Sequence, residues 1–313
     1  MSARRDELCS RDMTSATRFF GAVEAGGTKF VVAIGDEHGN IITQQRFPTT
    51  DPVSTLAAVH TFLREQGGEP RPLAAIGVAC FGPVQLDRSS PRYGFIGQTP
   101  KVGWSNTDVA GSLARAFRIP IGFDTDTNAA ALAEHRWGAA RRLNNLVYVT
   151  TGTGIGGAVL VGGVPIHGLM HPEIGHIFPR RHPLDLGFSG TCPFHGDCME
   201  GLASGPAIVA RSGKSLLQLD EAHPQWEIQA DYLGQLCAQL VLTVSPQRII
   251  LGGGVMSQAR LFPLIRQRVR HWLGGYIDRG DILTGIDEYV VPPGLGDRAG
   301  VLGALVLALA AEA

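Results

Sequence analysis

The residues best suited to chemistry are concentrated between Glu173 and Glu200. Four potential metal ligands lie there: His176, Cys192, His195 and Cys198. Two residues lie between Cys192 and His195, and two lie between His195 and Cys198. This spacing lets consecutive side chains surround one ion. Two imidazoles with two thiols are the ligand set of a closed tetrahedral zinc site, so the sequence predicts a structural zinc with every position filled by protein. The glutamates at the two ends would then be held beside the metal loop, available to a polar ligand.

A run of polar residues, Asp124-Thr125-Asp126-Thr127-Asn128, is the second candidate for chemistry. It lies between a predicted strand at 121–124 and a predicted helix at 128–138. Helix capping explains one such residue, whereas this run has several. An aspartate with a reference pKa of about 3.9 is ionised at neutral pH and can accept a proton. The run therefore indicates a possible general base as well as a helix start.

Three glycine-rich turns could bring backbone N–H groups close to a ligand. The first, at 24–29, joins two predicted strands and on its own is best explained as a hairpin turn. The second, at 150–157, carries three threonines and four glycines, which is more than a hairpin needs and favours a binding role. The third, at 251–256, lies between a strand and a helix, where α/β sheets bind ligands.

Both halves of the chain contain a strand, a glycine turn and a second strand, at 20–34 and at 146–161. This repeat predicts a duplicated α/β fold with a cleft between two domains. We predict one domain from 19–125 plus 298–313, the other from 126–297, and a disordered extension at 1–18. The length of 313 residues agrees with about two domains. The last helix, predicted at 299–311, would pack back on the first half.

Composition excludes several classes of partner. The formal net charge of −1 gives no field that would attract nucleic acid or an anionic membrane. The longest apolar run, 301–311, is shorter than the ~20 residues that span a bilayer. Five scattered cysteines make a poor disulfide framework, which favours a reducing compartment. We therefore expect a cytoplasmic protein with small-molecule ligands.

Taken together, these motifs resemble the ROK family of sugar kinases, in the actin-like ATPase and hexokinase superfamily. The resemblance covers about 20–310 and is closest to the bacterial fructokinase branch in four segments: Glu-Ala-Gly-Gly-Thr-Lys, Cys-Phe-Gly-Pro, Thr-Pro-Lys-x-Gly-Trp and Cys-Pro-x-His-Gly-Asp-Cys-x-Glu-Gly. It implies a two-domain, ribonuclease H-like α/β fold that phosphorylates a hexose with ATP, first of all fructose to fructose 6-phosphate. It also implies Mg²⁺ with the ATP, a structural Zn²⁺ and a homodimer.

The resemblance also implies roles for single residues. Asp126 takes the place of the catalytic general base, although Thr125 replaces the family's usual asparagine. Sugar contacts are implied at Glu173, His176 and Glu200, and Asn106 is a weaker candidate. The nucleotide and its phosphates would be bound by Glu24, Gly26, Gly27, Thr28, Lys29, Thr151, Gly152, Thr153, Gly205, Gly252, Gly253, Gly254, Val255 and Met256.

Other interpretations stay open on the sequence. Glucose, mannose or an N-acetylhexosamine could replace fructose in the same chemistry. A sugar-sensing repressor of the same family would carry a helix-turn-helix domain, which the ~18 residues before the first strand are too short to form. A zinc-stabilised binding protein without catalysis is the third possibility. Retention of Asp126 favours catalysis over both non-enzymatic alternatives.

Overall fold

The computed structural model describes residues 17–69 and 71–313. The predicted disordered extension at 1–18 lies almost entirely outside the described residues. Within them, two mixed β-sheets of five strands each form the framework of the molecule.

The first sheet contains β1 (Phe19–Ala25), β2 (Lys29–Asp36), β3 (Ile41–Pro48), β4 (Leu73–Cys80) and β5 (Ile121–Thr125), in the order β3-β2-β1-β4-β5. The second contains β6 (Leu146–Thr151), β7 (Ile155–Val161), β8 (Val164–Pro165), β9 (Arg248–Gly252) and β10 (Val290–Val291), in the order β10-β9-β6-β7-β8. In each sheet, three consecutive strands pair antiparallel and the two later strands add in parallel. The repeat predicted from the two glycine hairpins is therefore a repeat of whole-sheet topology.

Ten helices surround the two sheets in the described residues: α1 (Pro52–Gln66), α2 (Val109–Phe117), α3 (Asp126–Trp137), α4 (Met199–Ala203), α5 (Gly205–Ser212), α6 (Gln225–Val244), α7 (Leu261–Leu273), α8 (Gly280–Leu283), α9 (Ile286–Tyr289) and α10 (Ala299–Glu312). Short 3-10 helices include Ile174–His176 and Gly254–Ser257. The longest helix, α6, is buried along most of its length in the core beneath the second sheet.

The last helix packs against the first sheet, as predicted. Helix α10 is apolar around its circumference and shares a core with β1, β2, β4 and α3. Glycines allow its backbone to come very close: a Cβ atom on Gly77 would lie 1.8 Å from the carbonyl oxygen of Ala304, and one on Gly122 would lie 2.1 Å from that of Leu307. Helix α3 packs on α10 and also contacts β6 and β7, so it joins the two sheets.

Helix α3 begins two residues earlier than predicted. The observed first residue is Asp126, and the Thr125 hydroxyl caps the helix by accepting a hydrogen bond from the Asn128 N–H at 3.0 Å. The polar run is therefore both a cap and the start of a helix. As a result, the Asp126 side chain lies at the end of β5, where the sheet meets the cleft.

Candidate active site

The carboxyl ends of three parallel strands bring the first group of candidate residues together. Ala25 at the end of β1 is in register with Cys80 of β4, and Cys80 is in register with Thr125 of β5. The turn that follows β1 and the Asp126 that follows β5 are thus on one edge of the first sheet. Ligands of α/β sheets bind at such edges because loops from several strands converge there.

The second and third glycine turns meet on the corresponding edge of the second sheet. Thr150 near the end of β6 pairs with Gly252 at the end of β9. Gly253 has a φ of +90°, and its backbone lies against Thr151. The Gly205 N–H at the start of α5 donates to the Gly152 carbonyl at 2.8 Å. Three separate segments predicted to bind the nucleotide therefore form one surface.

Residues from both edges line a single cleft. Its walls include Glu24 and Asp126 from the first sheet's edge and Thr150 and Gly253 from the second. The short 3-10 helix before α10, Gly296–Arg298, adds Asp297, which the sequence analysis did not identify. Asp297 lies in Gly-Asp-Arg-Ala-Gly just before an apolar helix, and that glycine-flanked polar turn is the signal that could have identified it.

The carboxylates of this cleft are electrostatically perturbed. Burial raises the pKa of Asp126 to about 6. Burial and the neighbouring Asp126 carboxylate raise the pKa of Glu24 to about 7, although Lys29 acts in the opposite direction. Carboxyl groups with such shifts in a cleft are typical of functional sites. Asp126 can therefore change protonation state close to neutral pH.

Asp124 holds the loop that carries Asp126. Its side chain is 4% exposed, and Oδ1 accepts hydrogen bonds from the Thr125 N–H and the Asn128 Nδ2, both at 2.7 Å. Oδ2 lies 3.0 Å from Nε2 of His167. These three contacts hold Asp124 against the first turn of helix α3.

Two glutamates, Glu173 and Glu200, lie near Asp126. The pKa of Glu173 is raised to about 7 by burial, then by Glu200 and by Asp126, so these three carboxylates are near one another. The Glu200 Oε2 accepts a hydrogen bond from the Ile155 N–H at 2.9 Å, which attaches α4 to the second glycine turn. The structure therefore brings Glu173 and Glu200 to the same region as Asp126.

The four predicted metal ligands converge. Nδ1 of His176 and Nδ1 of His195 are 3.3 Å apart, and Sγ of Cys192 lies 3.8 and 3.7 Å from them, respectively. Sγ of Cys198 is 3.6 Å from Nδ1 of His176, and all four atoms lie within 4.8 Å of one another. A tetrahedral site with metal–nitrogen bonds of about 2.0 Å and metal–sulfur bonds of about 2.3 Å has edges of about 3.3–3.8 Å. These side chains could therefore hold one metal ion with little movement.

Three other predicted site residues have side chains that are either exposed or packed in the core. Asn106 is exposed, has a φ of +64°, and its side-chain oxygen accepts a hydrogen bond from Arg92. The side chains of Val255 and Met256 are 9% and 5% exposed and pack in the core of the second sheet. A ligand at the third turn would therefore meet the exposed glycines Gly253 and Gly254 and the backbone of the turn.

Gly253→Ala should disable the third turn. The added Cβ would lie 2.4 Å from the Thr151 carbonyl oxygen, at a φ where side chains are strained. We expect the dissociation constant for an ATP analogue to rise by about tenfold or more. The reason is that the second and third turns would move apart and lose backbone contacts with the nucleotide. Gly280→Ala is the matched control, because it makes the same change at an exposed position at the start of α8, outside the cleft, where the added Cβ would meet nothing within 4 Å. Equal affinities of both variants in calorimetry would contradict a nucleotide site at this turn.

Comparison with known proteins agrees with this geometry. The model of the ROK family matches residues 20–311, and the chain belongs to that family. The fructokinase of Zymomonas mobilis subsp. mobilis is 45% identical over 303 residues, 96% of this chain and 99% of that protein. The fructokinase of Pediococcus pentosaceus is 42% identical over 291 residues, 93% of this chain and 98% of that one. The structure of the ROK hexokinase from Thermus thermophilus has a TM-score of 0.75 at 25% identity, covering 93% of this chain and 98% of that chain.

These matches confirm the predicted family and its α/β actin-like ATPase fold. Within the described residues, no helix combines the length and apolarity needed to cross a membrane.

Proposed function

We propose that this chain transfers the γ-phosphoryl group of ATP to a hexose, with fructose as substrate and fructose 6-phosphate as product. The observation that carries the proposal is the cleft in which Asp126 faces Thr150 and Gly253 of the turns on the second sheet. Relatives of 42% and 45% identity that match nearly the whole chain are named fructokinases, which favours fructose over glucose, mannose or an N-acetylhexosamine.

In this reaction Asp126 is the general base. Its carboxylate accepts the proton of the sugar hydroxyl while the hydroxyl oxygen forms a bond to the γ-phosphorus and ADP leaves. Oδ1 of Asp126 accepts a hydrogen bond from the Thr127 N–H at 2.8 Å, which fixes the orientation of the carboxylate. A carboxyl with a pKa of about 6 is ionised at pH 7 and is a stronger base than an ordinary aspartate.

The turns would bind the phosphates and the nucleotide. Thr28 and Lys29 of the first turn and Thr153 of the second are exposed and free to contact phosphate oxygens. Gly26, Gly27, Gly152 and Gly205 would let the nucleotide approach the backbone. Mg²⁺ bound together with ATP would neutralise part of the phosphate charge. Glu24, at the cleft, would hold the water shell of that ion.

The segment 173–200, which carries the four potential metal ligands, would form the sugar-binding side of the cleft and would bind Zn²⁺. Both sulfur atoms and the Nδ1 atoms of two histidines suit zinc. His176 faces the other ligands through Nδ1, which leaves Nε2 for a sugar hydroxyl. Glu173 and Glu200 would accept hydroxyl hydrogens of the sugar.

The two sheets support a division into two domains at 19–125 plus 298–313 and at 126–297. Closure of the cleft between them would exclude water, so that ATP reacts with sugar in preference to hydrolysis. The proposal also includes a cytoplasmic location and a homodimer. The cytoplasmic location agrees with the free thiols at Cys80, Cys192, Cys198 and Cys237, and the homodimer rests on the family resemblance.

A panel of sugars tests the proposal. ADP release and sugar phosphate should be measured with fructose, glucose, mannose, N-acetylglucosamine and N-acetylmannosamine at equal concentration. We expect the highest kcat/KM for fructose and product only when ATP is present. Preference for another hexose would correct the substrate and keep the reaction class. Sugar binding in calorimetry with no phosphorylation of any hexose would instead support a non-catalytic sensor.

The pH profile should report the base. Because burial raises the pKa of Asp126 to about 6, protonation removes the base as pH falls through 6. We expect kcat/KM for fructose to be level above about pH 8, because Glu24 and Glu173 also titrate near pH 7, and to fall at least about tenfold per pH unit below about pH 6. Circular dichroism over the same range should show a folded protein. A level profile down to pH 5 would contradict a titrating base of this pKa.

A further inference from the structure

Two histidines attach the segment leading to Glu173 to the first sheet and to the loop after β4. His167 reaches Asp124 near the end of β5, with 3.0 Å between Nε2 and Oδ2. His171 is 6% exposed; its Nε2 accepts the Val84 N–H at 3.2 Å, and its Nδ1 lies 3.4 Å from Glu173. Of these partners, Glu173 is a predicted sugar contact and Asp124 is two residues from Asp126.

Asp124 is the centre of the first attachment. Its Oδ1 holds two groups of the α3 start, the Thr125 N–H and the Asn128 side chain, and its Oδ2 faces His167. Asp126 and Thr127 are the two residues between those groups. Because a buried carboxylate needs full hydrogen bonding to be stable, loss of the imidazole would leave Asp124 under-partnered and free to shift. A shift of Asp124 would move the first turn of α3.

We propose that His167 is a positioning residue for phosphoryl transfer, acting through Asp124 on Asp126. The inference rests on the proposed role of Asp126 as general base. The same imidazole anchors the segment that leads to Glu173. It therefore fixes the position of the proposed base relative to one proposed sugar-binding carboxylate. Displacement of a reacting group by about 1 Å can lower the rate about 100-fold, which makes such a link consequential.

The surroundings of His167 permit a direct chemical test. Its side chain is 42% exposed, and it lines a second cavity together with Asp124, Tyr93 and Arg88. A small molecule can therefore reach Asp124 once the imidazole is removed. Exogenous imidazole would restore the lost hydrogen-bond donor without restoring the covalent link to the segment.

The first experiment compares single variants. We expect His167→Ala to lower kcat about 10–100-fold while KM for ATP changes by less than about twofold. Imidazole should restore part of kcat, whereas the same ionic strength of sodium chloride should not. His167→Gln keeps an N–H donor and should retain more activity than His167→Ala. His38→Ala is the matched control, since that imidazole is 75% exposed in the turn between β2 and β3 and should leave activity unchanged.

The second experiment is a double-mutant cycle with Asp124→Asn. If His167 acts through Asp124, the double variant should be no slower than the slower single variant. Wild-type kcat in His167→Ala, or a loss that imidazole leaves unchanged and that adds fully to that of Asp124→Asn, would overturn the inference. Either result would leave the base intact as long as Asp126→Asn is inactive. An active Asp126→Asn would instead show that the proposed function is at fault.

Discussion

Asp126→Asn should lower kcat for fructose phosphorylation about 10³-fold, within the range that a general base contributes. The amide can keep the hydrogen bond from the Thr127 N–H but cannot accept the hydroxyl proton. The affinities for fructose and for an ATP analogue should change little. Folding should not suffer, because burial raises the pKa of this carboxyl, so the charged form disfavours the native state above about pH 6 and a neutral amide removes that penalty.

Stopped assays for fructose 6-phosphate give kcat, and calorimetry gives affinities for fructose and for a non-hydrolysable ATP analogue. Asp278→Asn is the control, as it makes the same chemical change at an exposed position and should behave as wild type. A melting temperature equal to or above that of wild type would show that Asp126→Asn is folded. Turnover near the wild-type rate in that folded variant would contradict the assignment of the base.

Cys198→Ser should have the second largest effect, on the fold and on sugar binding together. Serine is a good N-cap for α4, which Cys198 precedes, but it is a poor zinc ligand. Within 177–198 the regular structure is one 3-10 helix of three residues, Pro183–Asp185, so the metal would fix a loop with little regular structure of its own. Loss of a structural zinc removes folding free energy directly, and we expect a melting temperature about 5–10 °C lower.

Zinc content should be measured by mass spectrometry beside the melting curve and the fructose affinity. We expect about one zinc per chain in the wild type, little in Cys198→Ser, and a fructose affinity reduced at least about tenfold because Glu200 and Glu173 lose their frame. Phe194→Ala changes an exposed neighbour of the ligand His195 and should keep its zinc. A zinc-free wild type with normal stability and fructose affinity would contradict a structural metal.

Local patterns in the sequence were sufficient for most of the framework. Apolar runs predicted the strand pairs at 20–34 and 146–161 and the strand at 121–124, because strands with one or both faces buried are rich in apolar residues. The two glycine hairpins predicted the duplication, which the equal topologies of the two sheets confirm. The metal ligands could be found from their type and spacing, since Cys192, His195 and Cys198 are close in the chain and need only one partner from farther away.

The parts that could not be predicted depend on contacts between distant segments. The predicted start of α3 at 128 is two residues late because several residues of the polar run could cap a helix, while the cap in the structure is Thr125. The histidines at 167 and 171 have no motif, and their partners at 124 and 84 are far away in sequence. The burial of the apolar residues at 255 and 256 likewise depends on the core formed around α6.

A crystal structure with fructose and a non-hydrolysable ATP analogue would test the central claim most directly. The account predicts fructose between Glu173, Glu200 and His176, with its 6-hydroxyl oxygen at hydrogen-bond distance, about 2.6–3.2 Å, from the Asp126 carboxylate and in line with the γ-phosphorus. A sugar bound elsewhere, or one whose 6-hydroxyl faces away from Asp126 while both ligands fill the cleft, would contradict it.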